Sequence, residues 1–586
     1  MSKVIVLATP VFLLLIALEY AWGRARQRAG TGRDTYRLND TLNSVSLGMM
    51  SQLSGVLTKA LQVGIYTAVF ASVALMRHDA FWGTWYGVVL ALLLYDFCYY
   101  WLHRAGHEVA LFWAAHVVHH QSQAYNLSTA LRQSGTGNLL GWIFYLPMAL
   151  VGVPPVIFGI VALIDLLYQF WVHTEHVPKL GWFDRVFCSP SNHRVHHAVN
   201  DGYVDKNYGG VLVVWDRLFG TFREETVPCV YGTRSALNSW DPLWANGEVY
   251  WALAKESWQA TSWGDKVRLW FKPPGWQSAE MAQRAPKPPF DITRVQTFHP
   301  PMSRRLMAYS AAWFAVLLGG IAHFLWHVDG LALSAAAVWC AMLTAGLWTL
   351  GAVMQRRLGM GEGLLVASAV LTTATSALGL VNLHQVFKPL TILIAILLIA
   401  NHAISTWAYC QFSYKVRVAL LLGALAASLA GDVFLMLPGN YFIAGLALFL
   451  VAHLFYIALF RADTAGYAWF PAKRALAATG AAGVAMYAFI YPGLDGTVLK
   501  LAVAAYVVVI ALMAAQAIGR FTVQLTSPAL AVAVGACFFM LSDSLLATNR
   551  FVQPLPMVQL WVLSTYYIAQ LLIVLNVLPR PQGAET

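Results

Sequence analysis

Long apolar stretches alternate with short polar ones along most of the chain. The first, residues 4–22, has the length of a transmembrane helix, about 20 residues. No clear small-x-small cleavage site follows it, which predicts a retained anchor rather than a signal peptide. Apolar regions at 45–76 and 81–102 predict further membrane helices. The region 139–172 is broken at Val153-Pro154-Pro155, and its short halves predict a hairpin or re-entrant pair.

The pattern changes at residue 178, where a polar, tryptophan-rich region begins, and again at Arg304, after which about ten apolar runs follow. We therefore predict an all-α, polytopic integral membrane protein. Its parts are a first domain at 1–270, a proline-rich linker at 271–303, two bridging transmembrane helices at 304–358 and an eight-span helical domain at 359–580.

Basic residues fall on alternate loops of this pattern. Positive residues favour cytoplasmic loops, so the segment 23–37 with its five arginines is predicted to lie in the cytoplasm. The same alternation places the region 103–120 and Arg580 on that side, in the inner membrane if the source is bacterial.

The composition supports the membrane interpretation, and it also bears on nucleic-acid binding and on disulfide or zinc frameworks. The chain is 59% hydrophobic and only 11% charged, whereas soluble proteins carry about 25% charged residues. The net charge of +11 follows from membrane orientation, so no nucleic-acid partner is predicted. Six cysteines are scattered singly, which indicates neither a disulfide framework nor a zinc ribbon.

Candidate chemistry is concentrated in residues 103–197, where ten of the seventeen histidines lie. They are His103, His107, His116, His119, His120, His173, His176, His193, His196 and His197. Several are spaced i, i+3 and i+4, on one helix face. Neutral imidazole suits iron, zinc and copper, and eight or nine ligands exceed the needs of one ion. The spacing predicts two metals, and oxygen chemistry would select iron because zinc has no redox role. The alternative, solvated or core histidines, fits a lone histidine better than three clusters.

The surrounding motifs are specific. They read YYWLHR at 99–104, YNLSTALRQS at 125–134, QFWVHTE at 169–175, SNHRVHH at 191–197, DKNYGG at 205–210 and WDRLFGTF at 215–222. Over residues 40–230 the chain resembles the fatty acid hydroxylase/sterol desaturase superfamily of membrane di-iron enzymes, most closely its alkylglycerol monooxygenases. The resemblance implies that the metal ligands are His103, His107, His116, His119, His120, His173, His193, His196 and His197. It also implies a catalytic role for Glu108, for which an ordinary surface acid is the alternative. Two departures are Asn192, where relatives can carry histidine, and the additional His176.

The resemblance implies that two iron ions and O₂ hydroxylate the carbon next to the ether oxygen of an alkylglycerol, which releases a fatty aldehyde. The electrons must come from elsewhere, because we find no dinucleotide, haem or iron–sulfur motif. The resemblance implies tetrahydrobiopterin as the donor, whereas other superfamily members use a separate redox partner. The sequence leaves both open.

Three ionisable residues interrupt the later apolar runs, namely Lys388, Asp432 and Asp543. Ionisable groups inside membrane helices are functional candidates, and the alternation places all three near the non-cytoplasmic ends of their helices. With HLFYI at 453–457 and YIAQ at 567–570, they resemble the YhhN/TMEM86 family, whose known activity is lysoplasmalogenase. The resemblance implies that two carboxylates act as acid and base, while Lys388 holds one of them ionised or binds a lipid head group. Separate structural pairing of each aspartate is the alternative.

Together these features predict an ether-lipid degrading enzyme whose substrates are an alkylglycerol and a lysoplasmalogen. Two other functions stay open. One is a sterol or fatty-acyl hydroxylase or desaturase with a non-catalytic membrane tail. The other is a metal-binding transporter or lipid-binding membrane protein, which inverted repeats would favour, and we see no convincing repeat.

Overall fold

The computed structural model describes residues 2–76, 79–406, 411–462, 464, 466 and 469–578. The chain divides into two compact units, Met1–Arg357 and Leu358–Thr586. The helices of unit 1 are α1 (Ser2–Arg28), α2 (Leu38–Val73), α3 (Asp79–Trp82), α4 (Trp85–Glu108), α5 (Ala110–His120), α6 (Leu127–Ala130), α7 (Gly137–Leu140), α8 (Leu146–Val151), α9 (Pro155–Trp171), α10 (Phe183–Val186), α11 (Pro190–His196), α12 (Val214–Leu218), α13 (Pro242–Gln259), α14 (Trp263–Phe271), α15 (Ala279–Arg284), α16 (Arg304–His327) and α17 (Leu333–Met354). Those of unit 2 are α18 (Met360–Ala377), α19 (Val381–Thr406), α20 (Phe412–Met436), α21 (Phe442–Ala462), α22 (Lys473–Ile490), α23 (Thr497–Gln524), α24 (Ser527–Phe551) and α25 (Val558–Asn576).

Eleven of these helices are long and apolar enough to cross a membrane. They are α1, α4, α16 and α17 in unit 1 and α19 to α25 in unit 2. Helix α2 qualifies only as a pair of segments bent by 48°. The all-α polytopic prediction is therefore confirmed. Arg580, used above to place the C-terminus, lies outside the described residues.

The break predicted between residues 139 and 172 is present. Two short apolar helical stretches, Gly137–Val151 and Pro155–Trp171, flank it. Gly152 adopts φ +108°, and a Cβ there would come within 2.0 Å of the Met76 carbonyl oxygen. Because glycine tolerates this conformation and this close approach, the chain can turn before Pro155 starts α9. The turn brings the end of α9, and His173 beyond it, to the other histidines.

Helices α16 and α17 belong to the packing of unit 1. Leu317 of α16 and Leu347 of α17 share a buried apolar cluster with Leu42 and Leu53 of α2. The Trp313 indole of α16 donates to the Gly346 carbonyl of α17 at 3.2 Å. These two helices, predicted as bridging segments, therefore complete the core around α2.

Unit 2 contains the eight long helices that the apolar runs predicted. Its interior is rich in small residues, and Ala424, Ala514 and Ala569 are fully buried. Small side chains allow membrane helices to approach closely. At Gly535 an added Cβ would lie 3.0 Å from Leu572 Cβ, so α24 and α25 are in near backbone contact.

Candidate metal centre and membrane-embedded acid site

The nine histidines predicted as ligands form two groups in unit 1. One group has five members, His103, His107, His116, His120 and His196, and the other has four, His119, His173, His193 and His197. Within each group the ligand atoms all lie within 4.8 Å of one another. The groups adjoin, since the rings of His120 and His197 stack with centroids 4.3 Å apart.

Four separate elements supply these side chains. Helix α4 ends with the first pair, and α5 carries the next three. His173 follows α9 directly, and α11 with its capping residue supplies the last three. Adjacent histidines of one helix face different groups: His119 belongs to the second group and His120 to the first. One helix face can therefore serve two metals.

Backbone carbonyl groups fix the orientation of the rings. The Nδ1 atoms of His103, His119, His173 and His196 lie 2.8 to 3.0 Å from the carbonyl oxygens of Tyr208, Arg132, Gln169 and Lys206 respectively. A carbonyl only accepts hydrogen bonds, so each Nδ1 carries the proton and each Nε2 presents a lone pair. Holding the second nitrogen in this way orients a metal-binding histidine.

The loop Asp205–Gly210 supplies two of these carbonyl groups and is itself held by buried side chains. Asn207 adopts φ 57°, a left-handed conformation that asparagine tolerates better than most residues. Its amide donates to the Asn192 carbonyl at 3.0 Å and to the Arg223 carbonyl at 2.8 Å. The Asp216 carboxylate accepts from the backbone N–H groups of Tyr208 and Gly209 at 2.7 and 2.8 Å. The motifs at 205–210 and 215–222 thus support the ligands rather than supply them.

Burial favours the neutral form of seven of the nine imidazoles. It lowers the pKa of His119 to about 4. It also lowers the pKa values of His116, His120, His173, His193, His196 and His197 well below the ordinary value of 6.5. Neutral imidazole is the form that binds a metal.

The Nε2 separations test whether metal ions fit. His119 and His173 both donate through Nδ1, yet their Nε2 atoms lie 3.2 Å apart. Two lone pairs cannot hydrogen-bond to each other. Two ligands of one ion, each about 2.1 Å from it and about 90–110° apart, would be separated by about 3.0–3.4 Å. His103, whose Nδ1 also faces a carbonyl oxygen, has its Nε2 atom 3.1 Å from that of His116, and the buried Nε2 atoms of His107 and His196 have no hydrogen-bond partner among the described residues. The residues fit two cations.

Three further residues named from the sequence lie outside both groups. The Glu108 carboxylate accepts from Arg104 Nε at 2.9 Å and is 39% exposed. His176 approaches Thr35 at 3.4 Å. Asn192 donates to the Asp184 and Phe187 carbonyl groups at 3.0 and 3.3 Å, so this departure from the motif has a structural role here.

A cavity of about 410 Å³ adjoins the histidines. His103, His116, His119 and His173 line it, together with residues of α1, α2, α9 and α16. Most of its wall is apolar, and Phe12, Leu318 and Leu325 are examples. The cavity therefore suits a long apolar molecule with one part beside the histidines.

The ionisable residues of unit 2 converge on a second cavity, of about 830 Å³. Lys388 Nζ lies 3.2 Å from Asp432 Oδ1, and the Tyr566 hydroxyl donates to Asp432 Oδ2 at 2.8 Å. Asp543 accepts from the Tyr506 hydroxyl, whose oxygen lies 2.9 Å from His453 Nε2. Lys388, Asp432 and Asp543 all line this cavity, so the structure brings the three ionisable residues together.

Several residues of these sites were not proposed from the sequence. Tyr506 and Tyr566 stand in apolar runs like many other tyrosines of the chain, and nothing local distinguishes them. Asp165 was detectable, because it is an acid within the apolar helix α9 and such residues are functional candidates. It lines the cavity of unit 1.

Comparison with known proteins finds a family model for each of the two units of the chain. The Fatty acid hydroxylase family model matches residues 88–221 and the YhhN family model matches residues 383–577. Alkylglycerol monooxygenase of Homo sapiens is 36% identical over 314 residues, which cover 53% of this chain and 68% of that protein. The Danio rerio protein of the same name is 39% identical over 272 residues, 46% of this chain and 59% of the relative.

The C-terminal half has a relative of its own. Lysoplasmalogenase TMEM86A of Homo sapiens is 33% identical over 165 residues, 28% of this chain and 66% of the relative. No solved structure matches the chain. On these similarities, the chain belongs to the alkylglycerol monooxygenase family of membrane enzymes and carries a YhhN-family domain in its C-terminal unit.

Proposed function

We propose that this protein degrades ether lipids at two active sites, one in each unit. The observation that carries the proposal is the pairing of two adjoining groups of histidines, eight of the nine buried, with an apolar cavity in unit 1. The aspartates that line the cavity of unit 2 support the second activity. The names of the relatives suggest the substrate classes, an alkylglycerol and a lysoplasmalogen.

In unit 1 the proposed reaction is oxidation of the carbon next to the ether oxygen. The five-histidine and four-histidine groups would each hold one iron ion, and the iron pair would supply O₂ activation, which no side chain performs alone. The ether CH₂, O₂, two electrons and two protons give a hemiacetal and water. The bond between the oxidised carbon and the glycerol oxygen then breaks, and the hydroxyl proton of the hemiacetal passes to that oxygen. The products are a fatty aldehyde and glycerol.

The protein's own contribution in unit 1 is positioning and exclusion of water. The apolar wall of the cavity binds the alkyl chain, and the carbonyl groups of Tyr208, Arg132, Gln169 and Lys206 hold the histidine rings in place. Glu108 lies at the exposed edge of this region, 3.5 Å from the Tyr208 hydroxyl, and we assign to it proton exchange with solvent. The electrons come from an external donor, either tetrahydrobiopterin or a separate redox protein.

In unit 2 the proposed reaction is hydrolysis of a vinyl ether. A carboxylic acid protonates the alkene carbon that is not bonded to the ether oxygen, and water adds to the resulting oxocarbenium ion and gives up a proton to the base. The hemiacetal then breaks down to an aldehyde and an alcohol. We assign the acid to Asp543, which accepts from the Tyr506 hydroxyl and lies 3.7 Å from His453 Nε2, and the base to Asp432, which is paired with Lys388. Lys388 is 8% exposed and engaged with Asp432, so we favour the charge-pairing role over head-group binding.

Tyr506→Phe is expected to lower the kcat of vinyl-ether hydrolysis about tenfold and to leave KM nearly unchanged. The substitution removes only the hydroxyl that donates to Asp543. That hydrogen bond stabilises the carboxylate that forms as Asp543 gives up its proton, and a hydrogen bond to a charged group contributes about 1.5–3 kcal/mol. Tyr491→Phe is the matched control, because Tyr491 is 46% exposed. Steady-state assays of the aldehyde product check both variants, and equal activity of wild type and Tyr506→Phe would contradict the role of Tyr506.

The charge alternation leads to a topology prediction. Single cysteines at Arg28, Asp201 and Arg357 are expected to react with an impermeant thiol reagent from the cytoplasmic side, and a cysteine at Gln385 from the other side. All four sites are polar and exposed. Labelling of intact and inverted membranes decides the question. Labelling of the cysteine at position 201 from the non-cytoplasmic side would refute the proposed cytoplasmic location of the histidines, and positions 201 and 385 on one side would refute the alternation.

The overall test feeds an alkylglycerol and a lysoplasmalogen to membranes that contain the protein. Loss of both lipids with release of fatty aldehyde is expected, with O₂ and a reductant required only for the alkylglycerol. Oxidation of a sterol or fatty acyl chain instead would establish the alternative hydroxylase. Turnover of neither lipid, with the protein folded and loaded with iron, would reject the proposal.

A further inference from the structure

The mostly apolar wall of the cavity in unit 1 includes several polar side chains, Gln52 and Asn138 among them. Beside the histidines, Tyr99 of α4 and Asp165 and Gln169 of α9 form a hydrogen-bonded group that lines the cavity. The Tyr99 hydroxyl donates to Gln169 Oε1 at 2.7 Å, and Gln169 Nε2 donates to Asp165 Oδ2 at 2.6 Å. We call this chain of side chains the polar wall.

The polar wall has unused hydrogen-bonding capacity. Asp165 is 2% exposed, and among the described residues its Oδ1 has no hydrogen-bond partner. Gly210 lies beside this atom, and a Cβ at position 210 would be only 2.8 Å from it. Residue 210 therefore cannot provide a hydrogen-bonding side chain to Asp165 Oδ1. Leaving a buried acceptor without a partner is costly, about 1–3 kcal/mol, and buried carboxylates in apolar helices usually serve a function.

The polar wall is in contact with two of the candidate metal ligands. Tyr99 precedes His103 by one helical turn, and their ring centroids are 5.2 Å apart. The Gln169 carbonyl accepts from His173 Nδ1 at 2.8 Å. The wall therefore adjoins one ligand from each histidine group. Farther away the cavity is lined by apolar residues of α1 and α16, including Phe12 and Leu318.

We propose that Tyr99, Gln169 and Asp165 are positioning residues that bind the hydroxyl groups of the substrate. This inference rests on the activity proposed for unit 1. In an alkylglycerol the carbon to be oxidised is bonded to the ether oxygen, and the nearest hydroxyl-bearing carbon is only two bonds beyond that oxygen. Hydroxyl groups held at the polar wall place the oxidised carbon beside the histidines and direct the alkyl chain into the apolar part of the cavity.

The experiment compares two ligands, an alkylglycerol and a dialkyl ether of the same length that lacks both hydroxyls. Equilibrium binding to the full-length, iron-loaded protein in detergent and kcat/KM are measured for each. Wild type is expected to prefer the alkylglycerol by about 10- to 100-fold, the cost of leaving buried polar groups without partners. Asp165→Leu and Tyr99→Phe should each reduce this preference by about tenfold.

Three controls separate positioning from structural damage. Iron content should stay at the wild-type level in both variants, because the carbonyl groups that hold His103 and His173 are retained. Leu167→Ala, on the outward side of the same helix at 41% exposure, should change nothing. Tyr99→Phe, which removes one atom, decides the outcome if Asp165→Leu does not fold.

Measuring binding and turnover separately distinguishes failure of the polar-wall proposal from failure of the proposed oxidation. A wild type that binds both ligands equally, or variants that keep the full preference for hydroxyls, would overturn the role of the polar wall. A hydroxyl-dependent binding preference that the variants lose would support the polar wall even if the bound alkylglycerol is not oxidised, in which case the proposed reaction fails.

Discussion

His119→Ala and His196→Ala are each expected to abolish O₂-dependent oxidation of an alkylglycerol and to reduce bound iron from two ions per chain to one or fewer. The two substitutions address different histidine groups. Changing residues that only support metal ligands already costs about 10- to 100-fold in activity or affinity, so removal of a ligand should lower the rate by more than about 100-fold.

Iron is measured by elemental analysis of the purified protein, together with aldehyde release. His176→Ala is the matched control, since His176 lies in the same region but outside both groups, and it should retain iron and activity. Vinyl-ether hydrolysis should survive in all three variants and report on folding. One iron ion per wild-type chain, or full oxidation by either ligand variant, would refute the dinuclear assignment.

The sequence predicted much of this centre because its information is local. Histidines three and four residues apart share a helix face whatever the rest of the fold does, so the clusters on α4, α5 and α11 were visible directly. The division into five and four was not visible. His119 and His120 are neighbours in sequence yet serve different groups, and only the mutual packing of α4, α5, α9 and α11 decides which imidazoles meet.

The supporting residues were harder to interpret for a related reason. The motif at 205–210 was quoted from the sequence, but its role depends on backbone carbonyl groups that carry no residue signature. Lys206 and Tyr208 contribute main-chain oxygens to His196 and His103. Their side chains do not reveal this. Asp165 of the polar wall is different, because it does carry a sequence signal. It is an ionisable residue inside an apolar helix, as Asp432 and Asp543 are.

Membrane helices were predictable from hydropathy because lipid imposes a minimum apolar length. The same rule says nothing about lateral packing. The sequence accordingly separated α16 and α17 as bridging helices, whereas in the structure they complete the core around α2. In unit 2 the sequence singles out Lys388, Asp432 and Asp543, which line one cavity. It does not show that Lys388 pairs with Asp432 or that Tyr506 binds Asp543.

Asp432→Asn and Asp543→Asn are expected to lower vinyl-ether hydrolysis by about 100-fold or more each, the usual contribution of a general acid or base. Asparagine keeps the shape and volume of aspartate and removes the titratable group, so the loss should appear in kcat more than in KM. Asp495→Asn is the matched control, because Asp495 is an exposed acid of the same unit and should retain full activity.

The same variants test whether the two activities are independent. Oxidation of an alkylglycerol should continue at the wild-type rate in Asp432→Asn and Asp543→Asn, because all nine histidines proposed as ligands belong to unit 1. Aldehyde release from each lipid, measured on the same preparations, gives both rates. If both variants hydrolyse the lysoplasmalogen normally, the carboxylates are structural and the Lys388–Asp432 pair only stabilises the helices. If either variant loses both activities while remaining folded and loaded with iron, the proposal of two separate active sites is wrong.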